Sequence, residues 1–387
     1  MKMNISISKV VLDWVIRTAE LNEVANNKIE LLRAWRSGSK TPTFNQVESM
    51  SKTLNIPLGY FFLEQPPIED CFIVKYRTVE NMYLPEPSRN LIDTLDTMVD
   101  IQTWMADYLV DNGQEALQFV GIASDNNSII EIADMIREAA RLPADWSKDF
   151  HSSREAFNHL RNCLSDLGIL IMLNGIVGSN TRRKLNVEEF RAFTLVNKYV
   201  PLIFINSCDT DNGKIFSLLH ETAHIWIGKD SFYNSDDDSI GGQGIEVICN
   251  AVAAEILVPR NLFITLWKQF DGDNLERIDK IAKRFNCSQF VVVRRALDTN
   301  NISKREYLTL TEIIRQQYDK WKKDQKTKNT SGGNYYDNLS RRLDHHLLQA
   351  LAYSAKEGRT QYSEVYRLTN TNRATFDKLL AKIGGVG

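Results

Sequence analysis

Residues 216–228, FSLLHETAHIWIG, constrain this chain more than any other stretch. Phe216, Leu218, Leu219, Ile225, Trp226 and Ile227 belong in a core, yet His220, Glu221 and His224 stand among them. Burying three polar side chains costs free energy unless each finds a partner. His220 and His224, four residues apart, project from one helix face one turn apart, so both imidazoles can reach a single ion. Glu221 completes an H-E-x-x-H pattern, in which the glutamate can accept a proton from a zinc-activated water.

A catalytic zinc needs a third protein ligand and an open position. Glu246 is the preferred ligand, because it opens the next helix, IEVICNAVAAEILVP, after a loop long enough to turn the chain back. Asn250 follows one turn later on the same face, where it can hydrogen-bond behind the ligands. Asp236, Asp237 and Asp238 in the loop KDSFYNSDDDSIGGQG and Glu255 compete for the role. The aspartates read as solvated loop residues, and Glu255 lies roughly two and a half turns beyond Glu246, facing elsewhere. Cys249 reads as a small buried hydrophobe, with a thiolate capping the zinc as the alternative. His151 and His159 read as surface or packing residues, whereas His345 and His346, adjacent in sequence, point to different helix faces.

The rest of the chain sets the context. Its 387 residues allow two or three domains, and 43% hydrophobic with 25% charged residues is the balance of a soluble globular protein. Lys plus Arg (47) nearly equals Asp plus Glu (49), so no global charge marks a nucleic-acid or membrane partner. Five scattered cysteines without C-x-x-C spacing argue for a reducing compartment. With no long apolar run and no signal-peptide pattern at the N-terminus, the expected location is the cytoplasm, away from membranes.

Along the chain, residues 1–67 carry short helical patterns that end at Pro66-Pro67, and residues 68–165 form a helical connector. Its long helix has Leu91, Leu95, Met98, Gln102, Met105 and Leu109 at helical spacing, apolar in all but one place. Three β-rich runs, GILIMLNGIVG, FRAFTLVN and PLIFINS, then predict a small antiparallel sheet directly before the H-E-x-x-H helix. The expected fold class is α+β: the small sheet and the H-E-x-x-H helix over 166–300, a basic helix and linker over 301–330, and a small helical unit over 331–387.

These residues together resemble the ImmA/IrrE-type zinc metallopeptidases. The resemblance rests on LLHETAHIWIG, on EVICNAVAAEILVP, which is similar to the family's E-x-x-x-N-x-x-A-A-x-x-L-x-P helix, and on FRAFTLVNKYVPLIFIN. It extends through FNCSQFVVVRRALD to GGNYYDNLSRRL. It implies a zincin-like metallopeptidase domain over 166–300, with His220, His224 and Glu246 as zinc ligands and Glu221 as general base. The segment LRAWRSGSKTPTFNQVESMSKTLNIPLGYFFLEQPP resembles an XRE-type helix-turn-helix, carried by Trp35, Gly38, Pro42 and Thr43.

Three functions compete at this point. The first is a zinc-dependent endopeptidase, with manganese as an alternative ion, that cleaves a repressor or partner protein in stress, prophage or toxin-antitoxin regulation. Such an enzyme needs an oxyanion donor, for which Tyr233 is a candidate, and a strand edge such as FRAFTLVN or PLIFINS to hold substrate. The second is a non-cleaving regulator or antitoxin that binds a partner such as a PIN-type nuclease. The third is DNA binding through residues 1–67, whose eight Lys or Arg against six Asp or Glu give only a slight positive balance.

Overall fold

A computed structural model of the chain describes residues 5–21, 24–67, 87–124, 126–233, 244–327 and 335–382. It divides into two compact units, one of residues 1–97 with 180–184 and one of residues 98–179 with 185–387.

In the first unit, α1 (Lys9–Leu21) and α2 (Asn26–Ser37) pack together, followed by α3 (Phe44–Leu54) and a 3-10 turn over Leu58–Phe62. Val11, Leu12, Val15, Leu32, Trp35 and Phe61 form its core. α2 stops at Gly38, whose left-handed φ of 77° ends the helix. α3 starts with a capping box in which Thr43 and Gln46 satisfy each other's backbone. The first unit therefore has regular helices where the sequence resembles a helix-turn-helix.

The second unit is built on a four-stranded sheet: β1 (Leu170–Asn174), β2 (Ala192–Leu195), β3 (Leu202–Asn206) and β4 (Ser231–Tyr233), ordered β1-β3-β2-β4. The expected antiparallel sheet is corrected in one respect, since β1 and β3 run parallel. The chain leaves β1, travels through residues 175–191 and places β2 far enough away for β3 to enter between them. β3 is buried along its whole length, which suits an interior strand with neighbours on both sides. A second correction follows: β2 and β3, the runs expected to offer a substrate edge, are interior. The edges are β1 and β4, and β4 comes from the stretch read as loop.

Around this sheet stand α4 (Arg89–Asp111), α5 (Ile129–Ala139), α6 (Ser153–Ser165) and α7 (Asp211–Ile227). Gln102, the one polar residue in the apolar stripe of α4, donates to the carbonyls of Leu195 and Val200. α7 packs on α5, α6, β2, β3 and β4, and on α8 (Ile245–Leu257). It starts at Thr210, whose side chain accepts from Gly213 N, and is buried on all faces from Ser217 to Trp226. α9 (Arg260–Gln269), α10 (Asn274–Arg284), α11 (Gln289–Asp298) and α12 (Lys304–Thr327) follow, and then a helical module of α13 (Tyr335–Arg342), α14 (His345–Lys356), α15 (Tyr362–Thr369) and α16 (Arg373–Lys382).

That last module closes one side of the sheet. The β1 edge is satisfied at Ile171, whose N–H donates to Asp344 and whose carbonyl accepts from Arg161. Arg161 also donates to the carbonyls of Arg341 and Leu343, fastening the module to the strand. A covered edge cannot template another chain. Among the described residues no single helix is long and apolar enough to cross a membrane.

The end of α7 is fixed by an equally close contact. Gly121 N and Ala123 N donate to the carbonyls of Ile225 and Trp226, and Phe119 stacks on Trp226 at 4.5 Å. Gly228 caps the helix at φ 77°, where an added Cβ would meet the Gly121 Cα at 2.8 Å. Gly228→Ala therefore meets both backbone strain and a clash, and should destabilise the protein by about 1–3 kcal/mol. Thermal or denaturant unfolding checks this, and an unchanged midpoint would contradict the packing described.

Candidate metal centre

His220 and His224 leave α7 on the face that α8 covers. Their Nε2 atoms lie 3.2 Å apart. Glu246, in the first turn of α8, reaches both: its Oε2 is 3.1 Å from His220 Nε2 and its Oε1 is 3.3 Å from His224 Nε2. A carboxylate is also well placed at that helix end, where the backbone N–H groups favour negative charge. One ligand atom from each of the three residues falls within a single small cluster.

The spacing fits a tetrahedral ion. Zinc bonds of about 2.0–2.1 Å at tetrahedral angles put donor atoms about 3.3 Å apart, close to what the three side chains present. The protonation pattern also fits at His220. Asn250 Oδ1 lies 2.9 Å from His220 Nδ1, so Nδ1 carries the hydrogen and Nε2 keeps its lone pair toward Glu246. Two imidazoles and a carboxylate are a donor set suited to zinc and, less selectively, to manganese.

Glu221 lies beside these three side chains and is fully buried. Its Oε2 accepts from Thr194 Oγ1 at 2.6 Å and from the Ser231 hydroxyl. The two hydroxyls converge because Thr194 of β2 and Ser231 of β4 are register partners on one face of the sheet. Glu221 Oε1 is buried and has no hydrogen-bond partner among the described residues. One oxygen is thus anchored and the other is left without a hydrogen bond.

Residues 164–297 match the family model of the peptidase M78 type described as the IrrE N-terminal-like domain. Over these residues the chain is similar to that family. A second model, of a domain of unknown function (DUF8813), matches residues 343–382, and no curated protein matches the chain. The IrrE N-terminal-like domain contains every residue of the cluster and all four strands.

Within this domain the competing ligands are elsewhere. Glu255 is tied to Arg295 at 3.1 Å and accepts from Arg260 N. Asp236, Asp237 and Asp238 lie outside the described residues, as does the side chain of Tyr233 at the end of β4. Outside the cluster, His159 packs against Phe150 at 5.0 Å. His345 and His346 differ from expectation: their rings meet with centroids 3.9 Å apart. They are the first two residues of α14, where side chains can fold back over the cap and need not diverge as they do in a helix interior. Sequence reasoning missed Thr194 and Ser231, although a lone hydroxyl in the otherwise apolar strand AFTL is a usable signal.

Electrostatics bind the cluster together. Burial opposes charge on Glu246, but its close contacts with His220 and His224 outweigh it and hold the carboxyl well below its usual range. Burial likewise opposes charge on His224, yet its contacts with Cys249 and Glu246 raise it well above an ordinary histidine. Burial pushes the Cys249 thiol up, against the pull of His224, so Cys249 is no ready thiolate.

Two outcomes follow. The surroundings of His224 favour its protonated form before an ion binds, so zinc binding should release protons and weaken as the pH falls. Calorimetry in buffers of different ionisation enthalpy measures this, and binding without proton release would contradict it. Asn250→Ala should lower zinc affinity about 10–100-fold by freeing the His220 tautomer. A competition titration with a chelating dye reads that change.

Proposed function

We propose that the chain is a zinc-dependent endopeptidase acting in regulation, which cuts a repressor or another partner protein. The observation that carries this reading is the convergence of His220, His224 and Glu246 beside a glutamate anchored at one oxygen only. A zinc ion held there would act as a Lewis acid, polarising the scissile carbonyl and acidifying water. The remaining work falls to the chain's own residues. Glu221 Oε1 takes the proton of the attacking water and returns it to the leaving amine, while Thr194 and Ser231 keep the carboxylate aimed. β4, which carries Ser231, is the edge strand nearest this base, and an extended peptide can add along it. The family match supports a protein substrate, and manganese is the second ion this site would accept.

A second reading draws on the module at residues 343–382. It closes the β1 edge, a task that peptide hydrolysis does not require. A non-cleaving regulator or antitoxin would use such flanking helices to hold a toxin, for example a PIN-type nuclease. Operator DNA is less favoured as the target of residues 1–67. Two cations of α2 are already engaged by α1, Arg33 with Glu20 at 2.7 Å and Arg36 with Asp13 at 2.8 Å, and phosphates would have to displace these pairs.

The readings separate in one experiment. The zinc-loaded chain and its Glu221→Gln variant are each incubated with a repressor or toxin encoded beside it. Wild type should cut, and Glu221→Gln should keep its metal while cleavage slows at least about 100-fold. Equal binding by both with no product would overturn the peptidase reading in favour of the holder.

A further inference from the structure

The second unit has another cluster of metal-binding groups, independent of the one above. One ligand atom each from Asp166, His345 and His346 lies within 4.8 Å of the others. His345 Nε2 is 3.9 Å from Asp166 Oδ1, and the two imidazole rings face each other at 3.9 Å with a 37° tilt. Asp166 caps the end of α6 inside the IrrE N-terminal-like domain, while both histidines open α14 in the module of unknown function. Two imidazoles and a carboxylate at a surface with room for water are donors for a borderline divalent transition metal.

The groups behind this cluster are organised as they are behind a ligand. Asp344 is 1% exposed and makes contacts on every side: Oδ1 accepts from His346 N at 2.9 Å, and Oδ2 accepts from Ser165 Oγ at 2.7 Å and from Ile171 N at 3.2 Å. His346 Nδ1 lies 3.2 Å from Ser165 Oγ and 3.6 Å from Asp344 Oδ1. Ser165 has only one hydroxyl proton, and it goes to Asp344. The contact between Ser165 and His346 must therefore be donated by His346 Nδ1–H. Nε2 is left as the lone-pair nitrogen of that ring, supported by a buried carboxylate that raises its basicity.

The neighbouring ring also suits a ligand. Two imidazolium ions stacked this closely would repel, and they would do so at a helix N-terminus that disfavours cations. A dication would meet the same unfavourable helix end, but it would face the carboxylates of Asp166 and Asp344 together.

We propose that Asp166, His345 and His346 form a second divalent transition-metal site, which pins the C-terminal module to the IrrE N-terminal-like domain at the covered β1 edge. The site is distinct from the H-E-x-x-H cluster in residues and in place, and its occupancy does not depend on peptidase activity. Binding there would tie together the two chain segments that Arg161 already joins through the carbonyls of Arg341 and Leu343.

The test uses the full chain carrying His220→Ala and His224→Ala, which removes the first cluster. After dialysis against Ni2+ or Zn2+, elemental analysis should find one ion per chain, and the ion should raise the unfolding temperature. Adding His345→Ala and His346→Ala should abolish both effects, and the near-isosteric Asp166→Asn should weaken binding at least tenfold. Circular dichroism checks that each variant is folded. If the first-cluster substitutions prevent folding, the same comparison runs on the wild-type background, where two ions should fall to one. A folded chain that binds no second ion, or one whose second ion survives the loss of both histidines, would overturn the proposal.

Discussion

The burial of α7 governs everything else in this domain. A helix enclosed on every face must find most partners for its polar groups in neighbouring elements, because bulk solvent does not surround it. His220, Glu221 and His224 are all essentially inaccessible, and they are answered from two sides. α8 supplies Glu246 and Asn250 to the histidines, while β2 and β4 supply Thr194 and Ser231 to the glutamate. Shifting α8 by one residue, or β4 by one register step, would leave a buried polar group unpaired. The polar cluster therefore specifies how the sheet and the two helices meet, as well as what chemistry can happen between them.

The sheet is used asymmetrically as a result. Its β1 edge is closed by Arg161 and Asp344, and the residues that close it come from α6 and from the start of the C-terminal module. Its β4 edge lies on the side of Glu221, because Ser231 both pairs with Thr194 and touches the carboxylate. The cross-strand register thus couples the orientation of the base to the strand where a peptide would be received. The opposite edge is given over to attachment of the module.

Much of the cluster was legible in the sequence because helical geometry is strict. Four-residue spacing puts His220 with His224 and Glu246 with Asn250, and an apolar surround announces that the helix is buried. Glu255 could be set aside on the same ground, and its pairing with Arg295 agrees. What could not be read depended on contacts between distant segments. The parallel pairing of β1 with β3 follows from where the 175–191 connection leads, which periodicity does not encode. β4 is three residues long, too short to show alternation, so Ser231 was hidden in a loop. The approach of His345 to His346 reflects their position at a helix start, where the rule for helix interiors does not hold.

X-ray absorption at the zinc edge reads out whether His220, His224 and Glu246 together bind one metal ion. One equivalent of zinc on the chain bearing His345→Ala and His346→Ala confines the signal to the H-E-x-x-H cluster. Two imidazole nitrogens and carboxylate or water oxygens are expected at about 2.0–2.1 Å, with the imidazole signal lost in His220→Ala/His224→Ala. A sulfur neighbour at about 2.3 Å, which only a ligating thiolate such as Cys249 could supply, or a zinc without imidazole neighbours, would contradict it.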